Sequence, residues 1–132
     1  MYTFEVKSTK RSEMIDITNE VQRLASSGNV DNGLVFIYTP HTTAGLTINE
    51  GADPNVKHDI INTLNRLVPC DDPEYRHGEG NSDAHIKTSL IGSSVTVLMK
   101  QKKLMLGTWQ SIFLYEADGP RSRKVHVEII PI

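Results

Sequence analysis

The sequence predicts an α+β fold: a single domain, 1–132, with a mostly antiparallel, sandwich-like sheet and about three helices. Three observations carry this. Several runs are β-rich, three segments have helical spacing, and adjacent hairpins crowd the C-terminal half. The 132 residues suffice for one core without disulfide or metal staples.

Tyr2, Phe4 and Val6 alternate with Thr3, Glu5 and Lys7, the pattern of a half-buried strand. Thr18 offers a helix N-cap; Val21, Leu24 and Ala25 share one helical face, and Gly28 can end that helix. After the turn signal Asp31-Asn32-Gly33, Leu34 to Thr39 is apolar on both faces and reads as a central strand ended by Pro40. Gly45 to Asn49 is a second β-like run. Asp53-Pro54 combines a capping carboxylate with a proline at the first helical position. Val56, Ile60, Leu64 and Leu67 give that helix an apolar face, and Pro69 stops it. Pro69 to Ser82 is the longest irregular stretch, of a length that is often functional. Asp83 can cap a short helix carrying Ile86 and Leu90. From there the chain reads as strands: Val95 to Met99, Leu104 to Leu106, Thr108 to Ala117, the turn Asp118-Gly119-Pro120, and Arg123 to Ile130.

Composition excludes several functions. Apolar residues are 38% and charged residues 23%, the balance of a globular fold rather than a disordered one. With a net charge of −2, nothing builds the basic face that nucleic acid requires. The densest basic run, Lys100, Lys102 and Lys103, reads as a solvated turn. No apolar run approaches the roughly 20 residues that span a membrane, and the N-terminus has no signal-like apolar core. Cys70 is the only cysteine, so an intramolecular disulfide is impossible and a reducing, cytoplasmic setting is expected.

His41 follows a strand and precedes Thr42 and Thr43. A histidine there can serve as a ligand or a general acid/base, with the hydroxyls as phosphate contacts; its bland role is to satisfy loop carbonyls. His85 is expected in the first turn of its helix, where free N–H groups attract anions, with Ser89 one turn on. If Asp83 merely caps the helix, His85 lies on its surface. The two histidines form no local metal motif, so a shared site needs the fold to join them. His77, in the long loop, is a spare candidate; His58 and His126 read as exposed. Glu116 shares a strand face with Ile112 and Leu114, so its carboxylate must be paired, protonated or ligating. Arg121 and Arg123 are its candidate partners. Arg121 is a turn residue first and a phosphate clamp second. Trp109 reads as core or interface packing, with stacking on a ring as the alternative. Cys70 has no basic sequence neighbour to activate it.

Three blocks carry a family signature: His41 to Glu50 (HTTAGLTINE) with Asp53-Pro54, Gly80 to Lys87 (GNSDAHIK) with Ser89 to Gly92, and Leu106 to Gln110 with Glu116 and Asp118 to Arg121. Together they resemble the YjbQ family over nearly the whole chain. The resemblance implies a single-domain homotrimer and thiamine-phosphate synthase activity, often described as secondary. That reaction joins hydroxymethylpyrimidine diphosphate to thiazole phosphate. It implies a small phosphorylated substrate and a divalent metal, zinc or magnesium, held by His41 and His85. On this reading His41, His85 and Glu116 are catalytic, and Thr42, Thr43, Ser89 and Arg121 bind substrate. The alternatives are a metal-dependent hydrolase of a small phosphate or other ester, and a non-catalytic ligand-binding trimer.

Overall fold

Period-two alternation in the strand runs sends every second side chain inward, and the computed structural model, which describes residues 1–132, shows what they meet. The element order is β1 (Tyr2–Lys7), β2 (Glu13–Asp16), α1 (Thr18–Ser27), β3 (Gly33–Tyr38), β4 (Ala44–Glu50), α2 (Pro54–Leu67), α3 (Ser82–Ile91), β5 (Ser94–Lys100), β6 (Lys103–Leu104), β7 (Gln110–Glu116) and β8 (Ser122–Pro131). Two antiparallel sheets result, ordered β1-β8-β3-β5-β6 and β2-β7-β4. The fold is the expected α+β sandwich with three helices. β3 is central, as its apolar composition predicts.

The main core lies between the sheets. Val35, Ile37, Val97, Val125 and Val127 of the larger sheet meet Ala44, Leu46, Ile112 and Leu114 of the smaller one, with Val21, Leu24 and Ala25 of α1 in the same cluster. Apolar area removed from water at about 25 cal/mol per Å² holds these layers together. A second cluster covers the other face of the smaller sheet. Met14, Phe113 and Tyr115 there pack with Ala84 of α3 and the half-buried Ile60, Ile61 and Leu64 of α2. The outer face of the larger sheet has no such cover and leaves Phe36, Tyr38, Leu98 and Ile130 exposed.

Several local expectations change. β2 is unforeseen, because four residues carry too little periodicity to announce a strand; its register with β7 creates it. α1 begins one residue earlier than the Thr18 cap implies, with Ile17 at the N-cap position. Thr18 is the first helical residue, and its Oγ1 accepts from the Ile112 N–H. Asp53 caps α2 as expected, accepting from the Asn55 N–H. The apolar face of α2 is less covered than its spacing suggests: no residue of it is fully buried, and Leu67 is exposed. Asp83 does not cap α3. Its carboxylate turns into the protein and takes a bidentate pair of hydrogen bonds from Arg11 (3.0 and 3.0 Å) and one from the buried Lys87 (3.0 Å). Burial works to raise its pKa, but these donors outweigh it and hold the carboxyl below its ordinary value. Trp109 is not core: 64% of it is exposed, beside Asp53 and Pro54.

Glu116 and Arg123 tie the two sheets together. Arg123 of β8 donates Nε–H to Glu116 Oε1 (2.9 Å) and uses Nη2 for Glu116 Oε2 and for the Thr43 hydroxyl. The Ser8 hydroxyl and the Asp118 N–H complete the shell of the carboxylate. Burial would raise the Glu116 pKa, but the hydrogen bond from Arg123 and the other donors keep it below its usual value. Removing one partner would leave a charge buried without compensation, a loss of about 3–5 kcal/mol. Glu116→Ala is therefore expected to lower the urea midpoint by a corresponding amount. Because the folded pKa is depressed, this contribution is present at neutral pH and vanishes as pH falls through the carboxylate range. A midpoint unchanged at pH 7 would refute the structural weight given to this pair.

Candidate functional site

The end of β3 and the side of α3 meet at one edge of the sandwich. The Thr39 N–H donates to the Ser93 carbonyl (3.0 Å), and the Leu46 N–H to the Gly92 carbonyl (3.0 Å). Gly92 takes φ of +95°, and a Cβ on Gly45 would lie 2.5 Å from the Gly92 oxygen. Glycine at both positions therefore lets the end of α3 lie against β4. The Thr39 hydroxyl donates to the Lys124 carbonyl (2.8 Å), and Lys124 returns its N–H to His41 Nε2 (2.9 Å).

These ties form an open cleft of about 460 Å³, lined by His41, Thr42, His85, Thr88, Ser89, Gly92 and Ser93. Two histidines far apart in sequence thus share one solvent-reachable site. Thr42 and Ser89 join them. Thr88 was not foreseen, although its position three residues after His85 puts it on the same helical face. Its Oγ1 is buried and has no hydrogen-bond partner. Buried polar groups are ordinarily paired, so the Thr88 hydroxyl beneath this lining has an unmet hydrogen bond that a water or a ligand atom would fill.

Other expected site residues lie elsewhere. Thr43 is buried, with its hydroxyl engaged by Arg123. Glu116 is fully buried and its oxygens are taken by four donor groups, so it is a structural ion-pair member rather than a reactive carboxylate. Arg121 donates to the carbonyl and the carboxylate of Asp118 and does not line the cleft. His85 closes the first turn of α3, but its N–H is taken by the Asn81 carbonyl (3.3 Å), and the cleft runs from it toward the C-terminal end of that helix rather than its anion-attracting start. Ser89 donates its hydroxyl proton to the His85 carbonyl.

The electrostatics of the cleft are unusual. Its lining holds neither a carboxylate nor a fixed cation. Burial lowers the His41 pKa, and Arg123, Lys124 and His126 push it further down against the opposing charge of Glu116. Neutral His41 has one ring N–H, and with Nε2 accepting from Lys124 that proton sits on Nδ1.

The metal expectation meets this geometry poorly. Neither nitrogen of His41 offers a free lone pair, and magnesium would find no carboxylate oxygen in the lining. The chain contains no group of three or more His, Cys, Asp or Glu placed to hold a metal ion. His41 and His85 alone supply fewer protein ligands than a zinc site takes, so a metal there would need donors from outside this chain.

Fold and site together define a class: single-domain α+β sandwich proteins with a neutral, two-imidazole cleft at one edge. The chain belongs to the family described as UPF0047 protein YjbQ-like, whose model matches residues 2–132. It is 52% identical over 130 residues to a UPF0047 protein of Methanocaldococcus jannaschii, covering 98% of this chain and 94% of that one. It is 45% identical to the UPF0047 protein YugU of Bacillus subtilis, covering 97% of each. A crystal structure from Clostridium acetobutylicum, described as an uncharacterised conserved protein of the family, superposes with a TM-score of 0.96 at 47% identity and covers 98% of this chain and 100% of its own. A Sulfolobus solfataricus structure of unknown function matches with a TM-score of 0.94 at 29% identity, covering 99% of this chain and 96% of its own.

These relatives correct one expectation. They are described as UPF0047 proteins, as uncharacterised or as of unknown function, and none is described as having thiamine-phosphate synthase or another enzymatic activity. Neither the transferase expectation nor the metal-dependent hydrolase alternative has support among them.

The His41 geometry gives a pH prediction. Protonation would replace its Nε2 lone pair with a donor facing the Lys124 N–H. Its folded pKa is depressed, so the unfolded chain binds the proton more readily, and stability falls as pH drops below the ordinary imidazole value of about 6.5. In an NMR titration, His41 is expected to protonate below that value and to be the Nδ1–H tautomer at pH 7. Titration above it would contradict the assignment.

Proposed function

We propose that the protein binds a small phosphorylated or similarly oxyanionic molecule in the His41–His85 cleft. The observation that carries this is the orphaned Thr88 hydroxyl in a cleft lined by imidazoles and hydroxyls. Such groups donate to oxyanion oxygens, and the lining has no carboxylate to repel them. Arg123 and Lys124 beside His41 add positive potential without being contacts. His85 supplies a ring N–H donor, and a hydrogen bond to an ionised oxygen is about twice as strong as one between neutral groups. The test is inorganic phosphate followed by 31P and imidazole NMR. Binding is expected to weaken by about tenfold in His85→Ala and severalfold in Thr88→Val, as loss of one or two hydrogen bonds implies. Phosphate shifts that persist undiminished in both variants would exclude this cleft.

A homotrimer is the assembly this reading carries. The exposed Phe36, Tyr38, Leu98 and Ile130 give the outer face of the larger sheet an apolar surface of the kind that marks an interface, and the count of three rests on the family resemblance. The Tyr38 ring stacks on His126, so this face reaches the edge where His41 lies. Light scattering is expected to give three chain masses for the wild type and one for Phe36→Lys. A monomeric wild type would refute the assembly. A cytoplasmic setting suits the exposed, unpaired Cys70, and no helix is long and apolar enough to cross a membrane.

A further inference from the structure

His85 has two sides. On one it faces the cleft shared with His41; on the other it lines a second open hollow, also of about 460 Å³, with Tyr75, Arg76, His77 and Ile86. The two hollows differ in character. The first is hydroxyl-lined and free of charge, whereas the wall of the second is mainly apolar. Ile86 is 40% exposed there, an apolar side chain left without cover.

The second hollow is built from planar groups held in place. The His77 ring stands edge-on to His85, with centroids 5.4 Å apart and planes at 88°. The Tyr75 hydroxyl donates to the Pro69 carbonyl (2.7 Å), which pins that ring. The turn before it is fixed by the Glu74 N–H donating to the Asp72 carboxylate and the Tyr75 N–H to the Asp72 carbonyl. Arg76 has no ion-pair partner and can lie over a ring. Glu74 and Arg76 carry opposite charges in this lining, so the hollow has no net fixed charge. Wall chemistry therefore orients the occupant: oxyanion toward the hydroxyls and imidazoles at His41 and Thr88, apolar body toward Tyr75 and Ile86.

We propose that the ligand is bipartite, with an oxyanion head in the His41–Thr88 cleft and a flat apolar ring in the hollow across His85. This rests on the oxyanion reading above and adds the chemical class of the body. The irregular stretch 69–82 then supplies the ring subsite, a role its length alone could not specify.

The experiment compares inorganic phosphate, phenyl phosphate and cyclohexyl phosphate by calorimetry on the full chain. Phenyl phosphate is expected to bind about tenfold tighter than phosphate, the scale of one buried ring face, with cyclohexyl phosphate between them. Ile86→Asp, at an exposed position, and Tyr75→Ser, at a half-buried one, are expected to erase the phenyl advantage and leave phosphate binding unchanged. Thr88→Val is expected to weaken all three ligands. Equal affinity for phosphate and phenyl phosphate overturns the ring subsite while the oxyanion site stands. So does an advantage that survives both hollow variants with folding verified by circular dichroism. A cyclohexyl ester that binds as tightly as the phenyl ester overturns the flat ring. Failure of every phosphate to bind overturns both readings.

Discussion

A buried charge pair between the sheets sets the geometry on which the site depends. Arg123 on β8 and Glu116 on β7 belong to different sheets, and Thr43 joins them just before β4. Two charges this deep are costly to desolvate, so they persist only where every oxygen and N–H has a partner. Ser8, Asp118 and Thr43 meet that demand. The residue after Arg123 is Lys124, whose backbone N–H holds His41. Pairing Arg123 inward thus fixes the position of the adjacent peptide, and with it the imidazole.

α3 is held by a second buried charge cluster of the same kind. Asp83 and Lys87 lie one turn apart and point inward, joined by Arg11 from the loop before β2 and by Asn65 of α2. A helix with two inward-facing charges cannot roll without breaking them. That constraint keeps His85 and Thr88 on the cleft side. Tyr115, beneath α3, shows how dry this region is: burial and the nearby Asp83 charge push its phenol up to about 12. The scaffold keeps its charges inside these two clusters and leaves the cleft neutral, a division suited to holding a ligand by hydrogen bonds.

The fold class was legible because alternation in Tyr2–Val6 and the apolar run Leu34–Thr39 reflect burial directly. Asp53-Pro54 announced α2 for an equally local reason. What escaped was set by distant partners. β2 exists because β7 pairs with it. Asp83 looks like a cap, but Arg11, 72 positions away, draws it inward. At the site, His41, Thr42, His85 and Ser89 were identifiable by residue type, and the fold joined them. Thr43, Glu116 and Arg121 were equally plausible by type and are occupied in structural contacts. The activity was not legible at all: the motifs identify a family, and a family of uncharacterised proteins lends no reaction.

The account stands or falls on whether an oxyanion sits between the two imidazoles. Anomalous diffraction from crystals soaked in tungstate, a heavy oxyanion, reads this directly. The account predicts a peak in the cleft within hydrogen-bond reach of His85 and the Thr88 hydroxyl. Tungstate found only at surface lysines, with the cleft holding water alone at saturating concentration, would contradict it.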